Sequence, residues 1–168
     1  MTRKILQTKV IVGRGTAQFF LEKDIAFLPP IPPVFYVKEI KKWVDVYNMK
    51  VIPGKVIFNA WVWKDINYKT AQYVCEGGNQ VNGPLYHSTT KMPLAGFVDI
   101  TPVPGEEILP TDEAEVLEAF VEGEKDHWSD EVDVGKGVIA YKKVHEKMVI
   151  KITFKVVRIE HVPVEVGC

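Results

Sequence analysis

A strict alternation of side chains near the carboxyl end constrains the fold of this chain more than any other feature of its sequence. Apolar side chains occupy every second position from 148 to 156, and the positions beside them include Lys147, Lys151 and Lys155. Successive side chains of a β-strand point to opposite faces, so this period of two places one face on a core and three positive charges on the other. The segment predicts a long, half-buried strand.

Two pairs of β-prone segments, each separated by turn residues, predict two hairpins earlier in the chain. The first pair lies within residues 4–23, where Gly13 and Gly15 separate two short strand-like runs. The second pair lies within residues 40–63, with Pro53 and Gly54 as its turn. Val, Ile, Tyr and Trp favour strands, whereas Pro and Gly favour turns.

Prolines and glycines also indicate how the strands are connected. Four prolines within residues 29–33 predict a stiff, extended crossover between two sheets, because proline fixes the backbone and donates no hydrogen bond. Residues 75–84 and 102–105 have the composition of a loop and a turn. Residues 111–124 suit a helix and a strand equally well by composition.

Together these elements predict a single all-β domain over residues 1–168, built as a two-sheet β-sandwich or a Greek-key barrel. The apolar runs are too short to cross a bilayer, and the first residues lack the apolar block of a signal peptide. We therefore expect a protein that neither spans a membrane nor carries an export signal.

Charge is balanced overall but unevenly distributed along the chain. The 21 basic and 22 acidic residues give a net charge of −1, so nucleic acid is not an expected partner. Residues 106–133 nevertheless hold twelve acidic residues against Lys125 alone, which predicts an acidic insertion, exposed as a solvated loop. Alternatively, this segment meets basic surface on another subunit, for which the face bearing Lys147, Lys151 and Lys155 is the candidate.

No pattern in the sequence predicts catalysis or a cofactor. Ser88 and Ser129 are the only serines, and neither lies in a Gly-x-Ser-x-Gly motif. One acidic cluster has ligands that would suit Ca²⁺ better than Zn²⁺, although it lacks the alternation of an EF-hand loop. That cluster consists of Asp126, His127, Asp130, Glu131 and Asp133. We predict a protein that is not an enzyme and holds no metal.

Two tryptophans and two cysteines are candidate interface residues. Trp61 and Trp63 project from the same face of their strand, while Phe58, Ala60 and Val62 make the opposite face apolar as well. The tryptophan face is therefore a covered core surface, a subunit interface, or a platform that stacks on sugars. Cross-strand pairing with the preceding strand, through Trp43 and Tyr47, would account for part of it. Cys75 and Cys168 either cross-link subunits or have no role.

Three segments of the chain resemble the SPOCS domain, a module of coat and exosporium proteins in clostridial endospores. They are KVIVGRGTAQFFLEKDIAFLPPIP (9–32), KKWVDVYNMKVIPGKVIFNAWVWKDINY (41–68) and LYHSTTKMPLAGFVDITPVPGEE (85–107). The most specific part is the run from Val51 to Val56, followed by Tyr68. The chain departs from the family at Ala60, Trp61 and Trp63, and residues 123–137 resemble an insertion.

The resemblance implies a self-assembling structural building block of the spore's outer layers that forms homo-oligomers. It also implies a strand at residues 111–124, other spore-coat proteins as further partners, and no catalytic residues. The expected location is the coat or exosporium, after synthesis in the mother-cell cytoplasm without a signal peptide. The tryptophan face keeps open the alternative of a glycan-binding module of the spore or cell-wall surface.

Overall fold

The computed structural model describes residues 2–167, and this range folds into strands joined by turns and loops. Within it, no helix is long and apolar enough to cross a membrane. The strands in chain order are β1 (Thr2–Ala26), β2 (Tyr36–Ile52), β3 (Lys55–Lys69), β4 (Tyr73–Val74), β5 (Val81–Asn82), β6 (Leu85–Asp99), β7 (Thr101–Pro102), β8 (Glu113–Asp133) and β9 (Ile139–Val166).

The strands form two main antiparallel sheets that pack face to face. Sheet A has the order β7-β1-β9-β8, sheet B has the order β2-β3-β6, and β4 pairs with β5 as a small separate ribbon. The predicted all-β sandwich is confirmed, and the two sheets do not close into a barrel.

The core lies between the central strands of the two sheets. The alternating residues of β9, from Met148 to Val156, are buried as predicted. They face Val56, Phe58 and Val62 of β3, which are buried as well. The second hairpin is confirmed as β2 and β3, and the proline-rich crossover does connect sheet A with sheet B.

The predicted opening hairpin is wrong, because β1 is one strand of 25 residues that pairs with β9 along its length. Gly13 and Gly15 interrupt no strand. They are needed because another part of the chain passes close by: a Cβ at Gly15 would lie 2.0 Å from the carbonyl oxygen of Asp99. Composition alone does not distinguish a glycine in a turn from a glycine under a neighbouring backbone.

Gly15→Ala should therefore destabilise the fold by about 2 kcal/mol or more, since the clashing atom is backbone and cannot move aside like a side chain. Gly123→Ala, in β8 of the same sheet, is the matched control because a Cβ there meets nothing within 4 Å. We expect that control to be neutral or slightly stabilising. Urea denaturation of both variants tests the prediction, and equal stabilities would contradict it.

The strand predicted at residues 111–124 is confirmed, but the predicted acidic insertion is not an exposed loop. Most of the acidic residues belong to β8, which continues to Asp133 and pairs with β9. Lysines of β9 stabilise this acidic strand: Lys155 lies 3.2 Å from Glu115, and Lys151 lies 3.5 Å from Glu118. The acidic stretch is an edge strand of sheet A.

Candidate functional site

The outer face of sheet B carries four aromatic side chains, Trp43, Tyr47, Trp61 and Trp63, which we call the aromatic ladder. Trp43 stacks on Trp63 with 5.7 Å between ring centroids and 9° between ring planes. Tyr47 stacks on Trp61 at 5.8 Å and 15°. The predicted pairing between β2 and β3 is confirmed, and offset stacking of this kind stabilises both strands.

Polar groups hold the aromatic ladder in place. Lys91 of β6 places its Nζ 3.9 Å from the ring centroid of Trp61 and 5.3 Å from that of Trp63. The indole nitrogen of Trp63 donates a hydrogen bond of 2.9 Å to Asp45. The two central tryptophans are half-buried, and Trp43 is 40% exposed. The ladder lies on the face of sheet B that is turned away from the core.

The three lysines predicted as interface residues, Lys147, Lys151 and Lys155, have acidic partners within their own chain. Lys147 lies 3.6 Å from Glu22, and the ion pairs of Lys151 and Lys155 with β8 are described above. The alternative that their face receives the acidic segment of another subunit stays a prediction. The acidic strand lies beside these lysines because β8 and β9 are neighbours in one sheet.

Of the two candidate thiols, the described residues include only Cys75. Cys75 is free and half-buried in the loop between β4 and β5, with its Sγ 3.5 Å from the amide oxygen of Gln80. Cys168 lies outside the described residues. Cross-linking through either cysteine stays a prediction.

The acidic cluster suggested around His127 does not form. Asp126 and His127 are consecutive in β8, so their side chains point to opposite faces. Asp126 is directed into the sandwich, whereas His127 lies beside His145 on the outer face of sheet A.

Between the sheets lies a group of five charged side chains, Lys42, Lys64, Glu124, Asp126 and Glu146, which we call the buried ionic cluster. Lys64 of β3 and Glu146 of β9 are both 0% exposed and bond to each other. The Lys64 ammonium also donates to Asp126 at 2.7 Å and to Glu124 at 3.1 Å, and Lys42 bonds to Glu124. The cluster separates two apolar parts of the core.

Burial raises the pKa of Glu146 to about 8, and the neighbouring Asp126 adds to this rise while Lys64 opposes it. Burial alone would also raise the pKa of Asp126, but hydrogen bonds from Glu146 and Lys64 outweigh it and lower that pKa. For Lys64, bonds to Asp126 and Glu146 outweigh burial and raise the pKa. With Glu146 protonated, two ammonium groups face two carboxylates and the cluster is neutral.

The three carboxyl groups of the cluster each place an oxygen within 4.8 Å of the others, a spacing that suits a divalent cation. The Lys64 ammonium bonds to all three and so fills the position that such an ion would take. The arrangement therefore supplies its own cation, and its chemistry is that of a structural charge cluster.

No family model, curated protein or solved structure matches this chain. The resemblance to the SPOCS domain consequently stays a prediction that depends on the quoted sequence segments. What the chain does must be argued from its surfaces, of which the aromatic ladder is the most distinctive. The sequence pointed to this surface through the two-residue spacing of Trp61 and Trp63, whereas the buried ionic cluster was missed.

Proposed function

We propose that this protein is a self-assembling structural building block of the outer layers of the bacterial endospore. The aromatic ladder carries the assembly part of the proposal, and the SPOCS resemblance carries the location in the coat or exosporium. Other coat proteins are further partners in this proposal, and the chain acts without catalysis or a cofactor.

The ladder has the properties of a protein interface. Tryptophan and tyrosine are enriched at interfaces because they bury a large apolar area at a low cost in side-chain entropy. The same face of sheet B also exposes Phe97 and, paired with it on the adjacent strand, Ile57. Aromatic and aliphatic side chains thus extend along one side of sheet B, which a second protein surface can cover.

Changing Trp61 and Trp63 together to alanine should leave a folded protein and abolish the contact between copies through the ladder. Truncating a buried tryptophan at an interface commonly costs about 2 kcal/mol or more, which corresponds to a roughly 30-fold weaker association for each residue. Sedimentation velocity and electron microscopy measure the assembly, while circular dichroism and urea denaturation measure the fold.

Tyr73→Ala is the control for this experiment, because Tyr73 is a highly exposed aromatic residue outside sheet B. That variant should assemble like the unmodified protein. A double tryptophan variant that still assembles fully would contradict the interface, and a double variant that unfolds would place the tryptophans in the stabilising core.

A glycan-binding module is the second candidate function, favoured by the polar groups along the ladder. Asp45, Asn59 and Asp65 lie on the same face, and Thr89 donates a hydrogen bond of 2.9 Å to Asp65. Stacking rings bordered by carboxylates and amides can hold the apolar face and the hydroxyls of a sugar. In that case the double tryptophan variant would keep both fold and assembly and lose binding to insoluble cell-wall polysaccharide.

A further inference from the structure

The two edges of sheet A carry opposite charge. Residues 2–21, which form most of β1, contain four basic residues and no acidic one. At the other edge, β8 contains nine acidic residues and one lysine. Unlike the charges of β9, which lie in the middle of the sheet, these charges lie on strands whose outer sides are open to a partner.

The backbone of both edges is largely unpaired within the described part of the chain. On its outer side β1 pairs with β7 only at Gly13 and Arg14, and β8 pairs with β9 alone. Sheet B approaches β8 through side chains, such as Lys42 to Glu124, without joining it by a strand pairing. Unpaired strand edges offer rows of hydrogen-bonding groups to another strand.

Residues 2–10 and 158–166 form a two-stranded ribbon that extends beyond both β7 and the first residue of β8. Its apolar side chains remain exposed: Ile5 is 75% exposed and Leu6 is 51% exposed. Two-stranded ribbons are marginally stable alone in water and gain stability from a third strand.

Charged residues at both edges remain available for a partner. On β1, Arg3, Lys4 and Arg14 make no ion pair with any described residue. On β8, Glu131 makes none within residues 2–167, and Glu122 makes none either, although it accepts a hydrogen bond of 2.5 Å from Gln18. Basic side chains of β1 already bind carboxylates of β8 within one chain: the Lys9 side chain reaches across β9 and binds Glu115 at 2.5 Å.

We propose that the basic β1 edge of one copy adds to the acidic β8 edge of a second copy, so that sheet A continues from copy to copy. This inference rests on the proposed function and adds a second contact between copies, through sheet A, to the contact through the aromatic ladder. Pairing of two identical edges would bring like charges together, which disfavours a two-fold dimer through sheet A. The remaining head-to-tail contact builds a ring or a filament.

The direction of the strands agrees with such a contact. Both β1 and β8 are antiparallel to β9, so they run in the same direction within one chain. A translation across the sheet that is also shifted along the strands therefore brings residues 2–10 of β1 beside the later part of β8 in the next copy, as a parallel pair. Side chains on β1 of one copy can then pair with the carboxylates of the next.

Two charge-reversal variants test this contact. R3E/K4E replaces two of the four basic residues of the β1 edge by acidic ones, and E122K/E131K places two lysines on the β8 edge. Each variant alone should lose head-to-tail assembly, with the midpoint concentration for association raised at least about 100-fold, because like charges then meet at the substituted positions. An equimolar mixture should assemble again, since every contact in an alternating chain then joins opposite charges.

K38E/K136E is the matched control, with the same charge change as R3E/K4E at two exposed residues outside sheet A and the aromatic ladder that make no ion pair among those described. It should assemble like the unmodified protein. Mass photometry and sedimentation velocity at about 0.05 M salt provide the readout, and about 1 M salt should weaken the unmodified assembly because the Debye length falls to about 3 Å.

The outcomes separate this inference from the proposed function. Loss of assembly in each single variant with recovery in the mixture supports the edge contact. Assembly of the variants at the level of the unmodified protein, or loss without recovery on mixing, overturns the contact and leaves the proposed function standing. An unmodified protein that stays monomeric at all concentrations and salts overturns both.

Discussion

Replacing Lys64 by methionine should lower the free energy of unfolding by about 3 to 5 kcal/mol. The side chain is fully buried, and its ammonium bonds to Asp126, Glu124 and Glu146. Removing one partner of a buried ion pair leaves the other charges without compensation in a medium that solvates them poorly. Guanidinium denaturation at pH 7 and 25 °C measures the change.

Two further variants make this result specific to the cluster. Lys38→Met removes an exposed lysine of the same sheet and should change the stability by less than about 0.5 kcal/mol. The double variant K64M/E146M removes both members of the fully buried pair, and we expect it to regain much of the loss. A Lys64→Met protein as stable as Lys38→Met would show that the cluster contributes little.

The unmodified protein should lose stability as the pH rises, and Glu146→Gln should abolish that loss. The folded-state pKa of Glu146, about 8, lies above the ordinary value of 4.5. Between these values the folded state holds a proton that the unfolded state has released, so stability falls with rising pH and levels off above about 8. Glutamine mimics the protonated form, and the variant should gain a few kcal/mol over the unmodified protein at pH 9 and little at pH 5.

Comparison of the two proteins isolates Glu146 from other titrating groups. Hydrogen bonds to Asp24 and Glu22 raise the pKa of His145, so its contribution also declines with rising pH, but equally in both proteins. Asp126 acts in the opposite sense, since its lowered pKa makes stability fall on acidification. Glu76→Gln, at an exposed loop position, is the control and should give a curve parallel to that of the unmodified protein. Parallel curves for Glu146→Gln would contradict the prediction.

Much of the strand content was predictable because it depends on local signals. The alternation around Ile150 and the turn at Pro53 and Gly54 are properties of adjacent residues, and the structure confirms the strand and the hairpin. The same local logic failed at Gly15, where the reason for glycine is the carbonyl of Asp99, 84 positions away in the sequence. Only the packing of β6 against β1 shows this.

The aromatic ladder was predictable in part. The spacing of Trp61 and Trp63 placed both rings on one face, and their partners on β2 followed from the hairpin. Lys91 covers these rings because β6 lies on the other side of β3. The order of strands in the sheet, which local sequence does not reveal, places it there.

By itself, the sequence determined which residues lie on the same face of each strand, because side-chain alternation is built into the extended backbone. Even Lys64 and Glu146 follow this rule, since each lies on the buried face of its strand. Lys64 lies between the buried Val62 and Ile66, and Glu146 lies between the buried Val144 and Met148. Only the tertiary structure decided that these two positions face each other and that β8 lies beside β9. A charged side chain on a buried face is stable only when another strand supplies a group of opposite charge. Which strand supplies that group depends on how the strands are arranged in space.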